Sequence, residues 1–172
     1  MKNTIKLLAV LLIAFTFNSC DDVKDLADVN FTTTLSENFD ISISESQDNI
    51  SDQVILNIDN SDTHDYLDKL KSVSINKLTY KFINYTGNES CNMEVEISTD
   101  GNIFETKTFQ IKQAVDNGTI YEITDVAKLN AMATALKNNQ QVSFKMEGTV
   151  SDGPATFIVE VTAEVTIVAN PL

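Results

Sequence analysis

The sequence contains no tryptophan and no arginine, and it has only two cysteines and one histidine among 172 residues. Two cysteines cannot build a disulfide framework. A single imidazole cannot supply the several nitrogen ligands of most zinc sites. The chain also lacks a G-x-S-x-G elbow, a phosphate loop and a dinucleotide fingerprint. The common catalytic signatures are therefore missing, and no motif names a reaction.

Positive charge is scarce as well. The sequence has twelve lysines and 25 acidic residues, which gives a formal net charge of −13. The lysines form no basic cluster, and an acidic surface repels phosphate backbones. These properties exclude nucleic acid as a partner.

The first nineteen residues have the pattern of an export signal. Lys2 and Lys6 precede an apolar run from Leu7 to Phe17, and small Ser19 stands directly before Cys20. The apolar run is shorter than the roughly 20 residues that a stable membrane span requires. The pattern predicts a signal peptide over residues 1–19 that is cleaved before Cys20.

The tetrapeptide Phe17-Asn18-Ser19-Cys20 resembles a lipobox, and Asp21-Asp22-Val23-Lys24-Asp25 is similar to the acidic stretch of surface-exported lipoproteins of Bacteroidota. This resemblance covers about residues 1–25. It implies a covalent lipid on Cys20 and anchoring at the outer membrane, on either its surface or its periplasmic face. An aspartate directly after the cysteine also resembles the inner-membrane retention signal of enterobacteria. A plain secretory signal is a further alternative.

The rest of the chain predicts a single domain. Loss of the two lysines in the signal would change the formal charge from −13 to −15. Residues 20–28 form an acidic linker, and residues 29–172 are enough for one domain with a real core.

Alternating apolar and polar residues dominate this domain, which predicts β-strands. Six apolar residues at odd positions predict one long strand or two broken near Ser36-Glu37-Asn38: Val29, Phe31, Leu35, Phe39, Ile41 and Ile43. A strand follows over 53–58. A change of phase within 73–85 predicts a bulge, with the two halves of that strand in different sheets. Asp100-Gly101 predicts a hairpin between 91–99 and 103–111.

The C-terminal third combines a helix with more strands. Apolar residues at helical spacing predict one substantial helix over about 125–138, capped by Thr124. Alternating arms at 142–150 and 157–167 surround Ser151-Asp152-Gly153-Pro154, which predicts a closing hairpin. Together the elements predict an all-β fold, an antiparallel β-sandwich of immunoglobulin-like architecture, with a closed barrel as the alternative.

Two acidic groups are candidate sites. Glu94 and Glu96 share one strand face at about 6.6 Å along the strand, a spacing that a glycosidase could use, although a solvated face is the simpler interpretation. Asp59, Asp62, Asp65 and Asp68 form an oxygen-rich loop that could bind calcium. This loop fails the EF-hand pattern, and a turn followed by a short helix over 65–71 explains it more simply.

Cys91 continues the apolar series of its strand, which predicts a buried side chain rather than a nucleophile. The leading hypothesis is a membrane-anchored, non-enzymatic envelope lipoprotein that binds a protein or glycan partner and needs no cofactor. The first alternative is a small hydrolase or calcium-dependent protein that uses Glu94 and Glu96 or the 59–68 loop. The second alternative is a structural accessory subunit of an envelope assembly.

Overall fold

The computed structural model describes residues 28–99 and 102–170. The predicted signal peptide, Cys20 and nearly all of the predicted linker lie outside these ranges. Within them the chain forms six strands: β1 Val29–Asn57, β2 Leu70–Gly87, β3 Asn92–Thr99, β4 Asn102–Gln110, β5 Ile120–Glu122 and β6 Gln141–Ala169. A 3-10 helix spans His64–Lys69, helix α1 spans Ile111–Asp116, and helix α2 spans Val126–Asn139.

The two longest strands, β1 and β6, form an antiparallel ribbon along their whole length. Val29 pairs with Ala169 at one end, and Asn57 pairs with Gln141 at the other. The register shifts in the middle, between Ile43 and Asp48 on β1. Such irregularities bend a ribbon. The buried positions of β1 change there from odd to even, so each half directs its own apolar set into the core.

The bend divides the molecule into two sheets. Sheet I contains β3 and β4 together with the second half of β1 and the first half of β6. Sheet II contains β2 and β5 together with the first half of β1 and the second half of β6. The sheets pack face to face. The Phe109 ring of β4 lies 6.0 Å from the Tyr80 ring and 4.9 Å from the Phe82 ring of β2, centroid to centroid.

The predicted antiparallel β-sandwich with one substantial helix is confirmed. Helix α2 begins one residue later than predicted, because Asp125 rather than Thr124 provides the N-cap. The Asp125 carboxylate accepts hydrogen bonds from the backbone N–H groups of Ala127 and Lys128. Met132 and Leu136 bury the apolar face of the helix in the core.

The predicted antiparallel pairing of β3 with β4 is also confirmed, with Thr99 paired to Asn102; Asp100 and Gly101 lie outside the described residues. In β2 the predicted change of phase coincides with a register shift between Ile75 and Lys77. The two halves of β2 nevertheless pair with the same strand, β6. The expectation that they lie in different sheets is therefore wrong.

The predicted closing hairpin is wrong as well. Residues 141–169 continue as one strand through Ser151-Asp152-Gly153-Pro154, and each arm pairs with β1 instead of with the other arm. The break considered near Ser36-Glu37-Asn38 does not occur, because these residues keep the β1–β6 register. Helix α1 was not predicted; it begins at Ile111, where the sequence pattern ended a strand.

The loop over residues 58–69 joins the end of β1 in sheet I to the start of β2 in sheet II. The Thr63 hydroxyl donates a hydrogen bond to the Ile58 carbonyl, and the Tyr66 ring lies 5.4 Å from the Phe31 ring. The open end of the bent ribbon is thereby held together. In the part of the chain that the structure describes, no helix has the length and apolar character needed to cross a membrane.

Candidate functional site

The outer face of sheet I carries a polar grid built by the strand registers. One row across the four strands contains Ser51, Glu147, Glu96 and Thr106. The next row contains Gln53, Lys145, Ser98 and Ile103. Side chains on one face of a sheet point the same way, so the two rows form a continuous surface.

These rows border a cleft of about 460 Å³, which we call the sheet I cleft. Its size falls within the range of small-molecule sites. Seven side chains line it, and they include two carboxylates, an ammonium, an amide and two hydroxyls: Gln53, Glu96, Ser98, Ile103, Ser143, Lys145 and Glu147. The cleft can therefore both donate and accept hydrogen bonds.

The electrostatics of the cleft depend on two glutamates that face each other. Glu96 of β3 is paired in register with Glu147 of β6, an arrangement that places like charges directly opposite. The Lys145 ammonium lies 2.7 Å from the Glu147 carboxylate, and the Ser51 hydroxyl donates to the same carboxylate at 3.4 Å. The hydrogen bond from Lys145 lowers the pKa of the Glu147 carboxyl below its ordinary value. Glu147 is thus ionised at neutral pH.

Glu94 and Glu96 lie on the same outer face, as the sequence predicts. Only Glu96 lines the cleft; Glu94 is one row away, paired with Thr149 of β6 and Thr108 of β4. The neighbouring strand β6 contributes Glu147 and Lys145, which were not predicted from the sequence. No local pattern could have found this pair, because it depends on the register between strands some fifty residues apart.

The predicted calcium loop is organised by its own hydrogen bonds. The Asp59 carboxylate lies 2.8 Å from Nδ1 of His64, and this hydrogen bond raises the pKa of His64. The backbone N–H of Asp62 donates to the Asn60 side chain at 2.8 Å. Asp65 belongs to the 3-10 helix that follows. Across residues 28–99 and 102–170, no group of three or more His, Cys, Asp or Glu side chains is arranged to hold a metal ion.

Asp68 lies near the end of the same 3-10 helix, so the structure does not gather the four predicted aspartates around a common point. Cys91 is completely buried, as the sequence predicts. Burial raises the pKa of its thiol, which disfavours the reactive thiolate. The geometry gives Cys91 a packing role.

No family model and no curated protein matches the chain. Several solved structures are similar in part. A structure of turnip yellow mosaic virus has 12% identity and a TM-score of 0.41, with 82% of this chain and 94% of that chain covered. The 60-mer BFDV capsid protein has 10% identity and a TM-score of 0.48, with 84% and 96% covered. A structure of tobacco necrosis virus has 13% identity and a TM-score of 0.42, with 83% of this chain and 98% of that chain covered. So distant a likeness says nothing about what this chain binds.

Proposed function

We propose that this protein is a lipid-anchored, non-enzymatic lipoprotein of the bacterial outer membrane that binds a glycan in the sheet I cleft. The observation that carries the binding role is the cleft itself. It places a carboxylate, an amide and an ammonium on one rigid strand surface: Glu96, Gln53 and Lys145. Sugar hydroxyls both donate and accept hydrogen bonds, and these three groups offer complementary partners.

Charge supports a glycan over an anionic ligand. Three of the four ionisable side chains on this face, Glu94, Glu96 and Glu147, are acidic, and Lys145 is already engaged by Glu147. A neutral, hydroxyl-rich ligand meets no repulsion here. Exposed Ile55 and Ile103, both on β-strands of sheet I, add apolar surface of the kind that packs against the carbon skeleton of a sugar ring.

The pKa of Glu147 favours binding over hydrolysis. A glycosidase that uses two carboxyl groups needs one of them protonated near neutral pH, which requires a raised pKa. The hydrogen bond from Lys145 shifts the pKa of Glu147 in the opposite direction. Glu147 is therefore suited to accept hydrogen bonds from a ligand rather than to donate a proton.

The anchor rests on Cys20 and the residues before it. Each methylene of an acyl chain contributes about 0.8 kcal/mol on burial in the bilayer, so two or three chains hold the protein stably where one would not. The acidic domain would gain nothing from electrostatic attraction to an anionic membrane. We expect Cys20→Ser to abolish incorporation of labelled palmitate and to release the protein from membranes; palmitate incorporation that survives this substitution contradicts the anchor.

The cleft can be tested with the detergent-solubilised protein on an array of bacterial and host glycans. For a glycan that binds, Glu96→Gln with Lys145→Met should weaken binding about tenfold, the effect of losing hydrogen bonds worth about 1.4 kcal/mol in total. A matched control is Glu160→Gln with Lys81→Met. These two residues, whose charged groups lie 2.8 Å apart on sheet II, undergo the same two substitutions away from the cleft. Equal losses in the two double variants, or an array without any bound glycan, contradict the proposed role of the cleft.

A further inference from the structure

Strand β1 is an edge strand of both sheets. It pairs with β6 on one side along Val29–Asn57, and within the described residues no strand pairs with its other side. Pairs from Val29–Ala169 to Ile43–Ala155 follow one another without a register shift. The backbone N–H and C=O groups that residues 29–43 direct away from β6 therefore have no strand partner among the described residues, and such a row is the template that an added strand requires. We call this stretch the β1 edge.

This edge lacks most of the usual devices against strand addition; the one it carries is a charge in a core-facing position, Glu37. Proteins commonly blunt an exposed edge with lysine, proline, a bulge or a very short strand. β1 has 29 residues and contains neither lysine nor proline. Its register shifts are confined to the stretch between Ile43 and Asp48, beyond the β1 edge.

Every ionisable side chain of β1 is acidic: Glu37, Asp40, Glu45, Asp48 and Asp52. Two of them lie on the β1 edge. Asp40 is exposed on the outer face of sheet II. Glu37 occupies a core-facing position, in phase with Leu35 and Phe39, which are 4% and 0% exposed, yet Glu37 itself is exposed. The two carboxylates thus flank the edge on its two faces.

We propose that the β1 edge binds an extended, positively charged segment of a partner protein, which adds to sheet II as a new antiparallel strand. Basic side chains three residues apart on that segment would meet Glu37 on one face and Asp40 on the other, because successive side chains alternate between faces. Opposite charges on adjacent strands stabilise the pair. This surface is separate from the sheet I cleft, and neither proposal depends on the other.

The same acids argue against a second copy of this chain as the occupant. Two β1 edges paired with each other would bring Glu37 and Asp40 of one copy against an edge that carries only acids. Like charges on adjacent strands repel. The carboxylates therefore discriminate between self-association and a basic partner.

The test uses the full lipoprotein in detergent and a fluorescein-labelled peptide of thirteen residues. The probe alternates valine and threonine and carries two lysines three positions apart at its centre. We expect saturable binding by fluorescence anisotropy, weakened about fivefold by Glu37→Lys or by Asp40→Lys. The control Glu122→Lys makes the same charge change on β5, three strands away from β1 in sheet II, and should leave binding within twofold.

Two further measurements separate strand addition from mere charge attraction. A probe with N-methyl groups on alternate residues cannot donate backbone hydrogen bonds along one side and should not bind. Hydrogen exchange of residues 29–43 should slow when the unmodified probe is added, while that of 103–110 stays unchanged. Three results would overturn the proposal. The N-methylated probe could bind as tightly as the unmodified one, Glu37→Lys and Glu122→Lys could weaken probe binding equally, or the protein could form a dimer through β1. Glycan binding by the Glu37→Lys protein should be unaffected, so failure of this inference is distinguishable from failure of the cleft.

Discussion

The two long sides of the sandwich are built in opposite ways. On one side β4 and β5 meet β2 through a cluster of four rings, Tyr80, Phe82, Phe109 and Tyr121, with centroids 4.9 to 6.4 Å apart. Helix α1 follows β4 there and contacts β2, and α2 also packs against β2. On the other side β1 ends both sheets with an open edge whose ionisable residues are all acidic.

This difference separates stability from recognition. Aromatic side chains bury large apolar areas, and pairs of them add about 0.5 to 1.5 kcal/mol beyond that burial. β4 and β5 are edge strands as well, but they have only 9 and 3 residues, whereas β1 has 29. The ring-cluster side can therefore support the fold while the opposite side offers the long edge. We infer that the ring cluster is the structural side of the sandwich and the β1 edge its binding side.

The largest expected effect is that of Phe109→Ala. Phe109 is 2% exposed and contacts three other rings, so its truncation should lower the free energy of unfolding by about 3 to 5 kcal/mol. Phe39→Ala on β1 is the matched substitution. Phe39 is 0% exposed, but within residues 28–99 and 102–170 it forms no ring pair. We expect Phe39→Ala to lower the free energy of unfolding, measured in urea, by about 1 kcal/mol less than Phe109→Ala does. If the two substitutions lower it equally, the two sides of the sandwich do not differ in this way.

A smaller effect is expected for Tyr80→Phe in the same cluster. The Tyr80 hydroxyl donates a hydrogen bond to the Glu105 carboxylate, and burial raises the pKa of Tyr80 well above its ordinary value. Loss of a hydrogen bond to a charged acceptor should lower the free energy of unfolding by about 1.5 kcal/mol. Lys107, 3.6 Å from Glu105, continues to pair with the carboxylate in the variant. Glu105→Gln keeps an acceptor oxygen, so it should cost less than Tyr80→Phe; the reverse order contradicts this account.

The sequence predicted the elements that local chemistry decides. Asp100-Gly101 favours a tight turn, and the β3–β4 hairpin follows from it. Ser151-Asp152-Gly153-Pro154 has equally strong turn chemistry, yet the chain there continues as β6. Pairing with β1 on both sides of this point outweighs the local preference. Such pairing joins residues about a hundred positions apart, and no local pattern in either strand identifies its partner.

The candidate site shows the same limit. The placement of Glu94 and Glu96 on one strand face follows from alternation alone. That Glu147 and Lys145 face them follows only from the β3–β6 register. For the β1 edge a signal was present in the sequence: Glu37 interrupts the apolar odd positions between Leu35 and Phe39. A charge in a core-facing phase is a mark of an edge strand.

The smallest expected effect lies in the loop over 58–69, where an exposed ion pair contrasts with the buried ring cluster. The hydrogen bond from Asp59 raises the pKa of His64, with a smaller contribution from the charge of Asp65. Because the folded pKa is the higher one, the pair stabilises the fold fully below the unfolded value of about 6.5, and this stabilisation is lost as pH rises through the folded pKa. Both side chains are largely exposed, so the change in stability should be slight.

The titration itself is nevertheless easy to measure, because His64 is the only histidine in the sequence. Its imidazole proton resonance in NMR should report a pKa above 6.5 in the native protein. Asp59→Asn should return that pKa toward the ordinary value, while Asp65→Asn should lower it less, in keeping with the order of the two contributions. If His64 titrates at or below 6.5, or if Asp59→Asn leaves the titration unchanged, the loop is not held by this pair. The hydrogen bonds of Asn60 and Thr63 would then be what organises it.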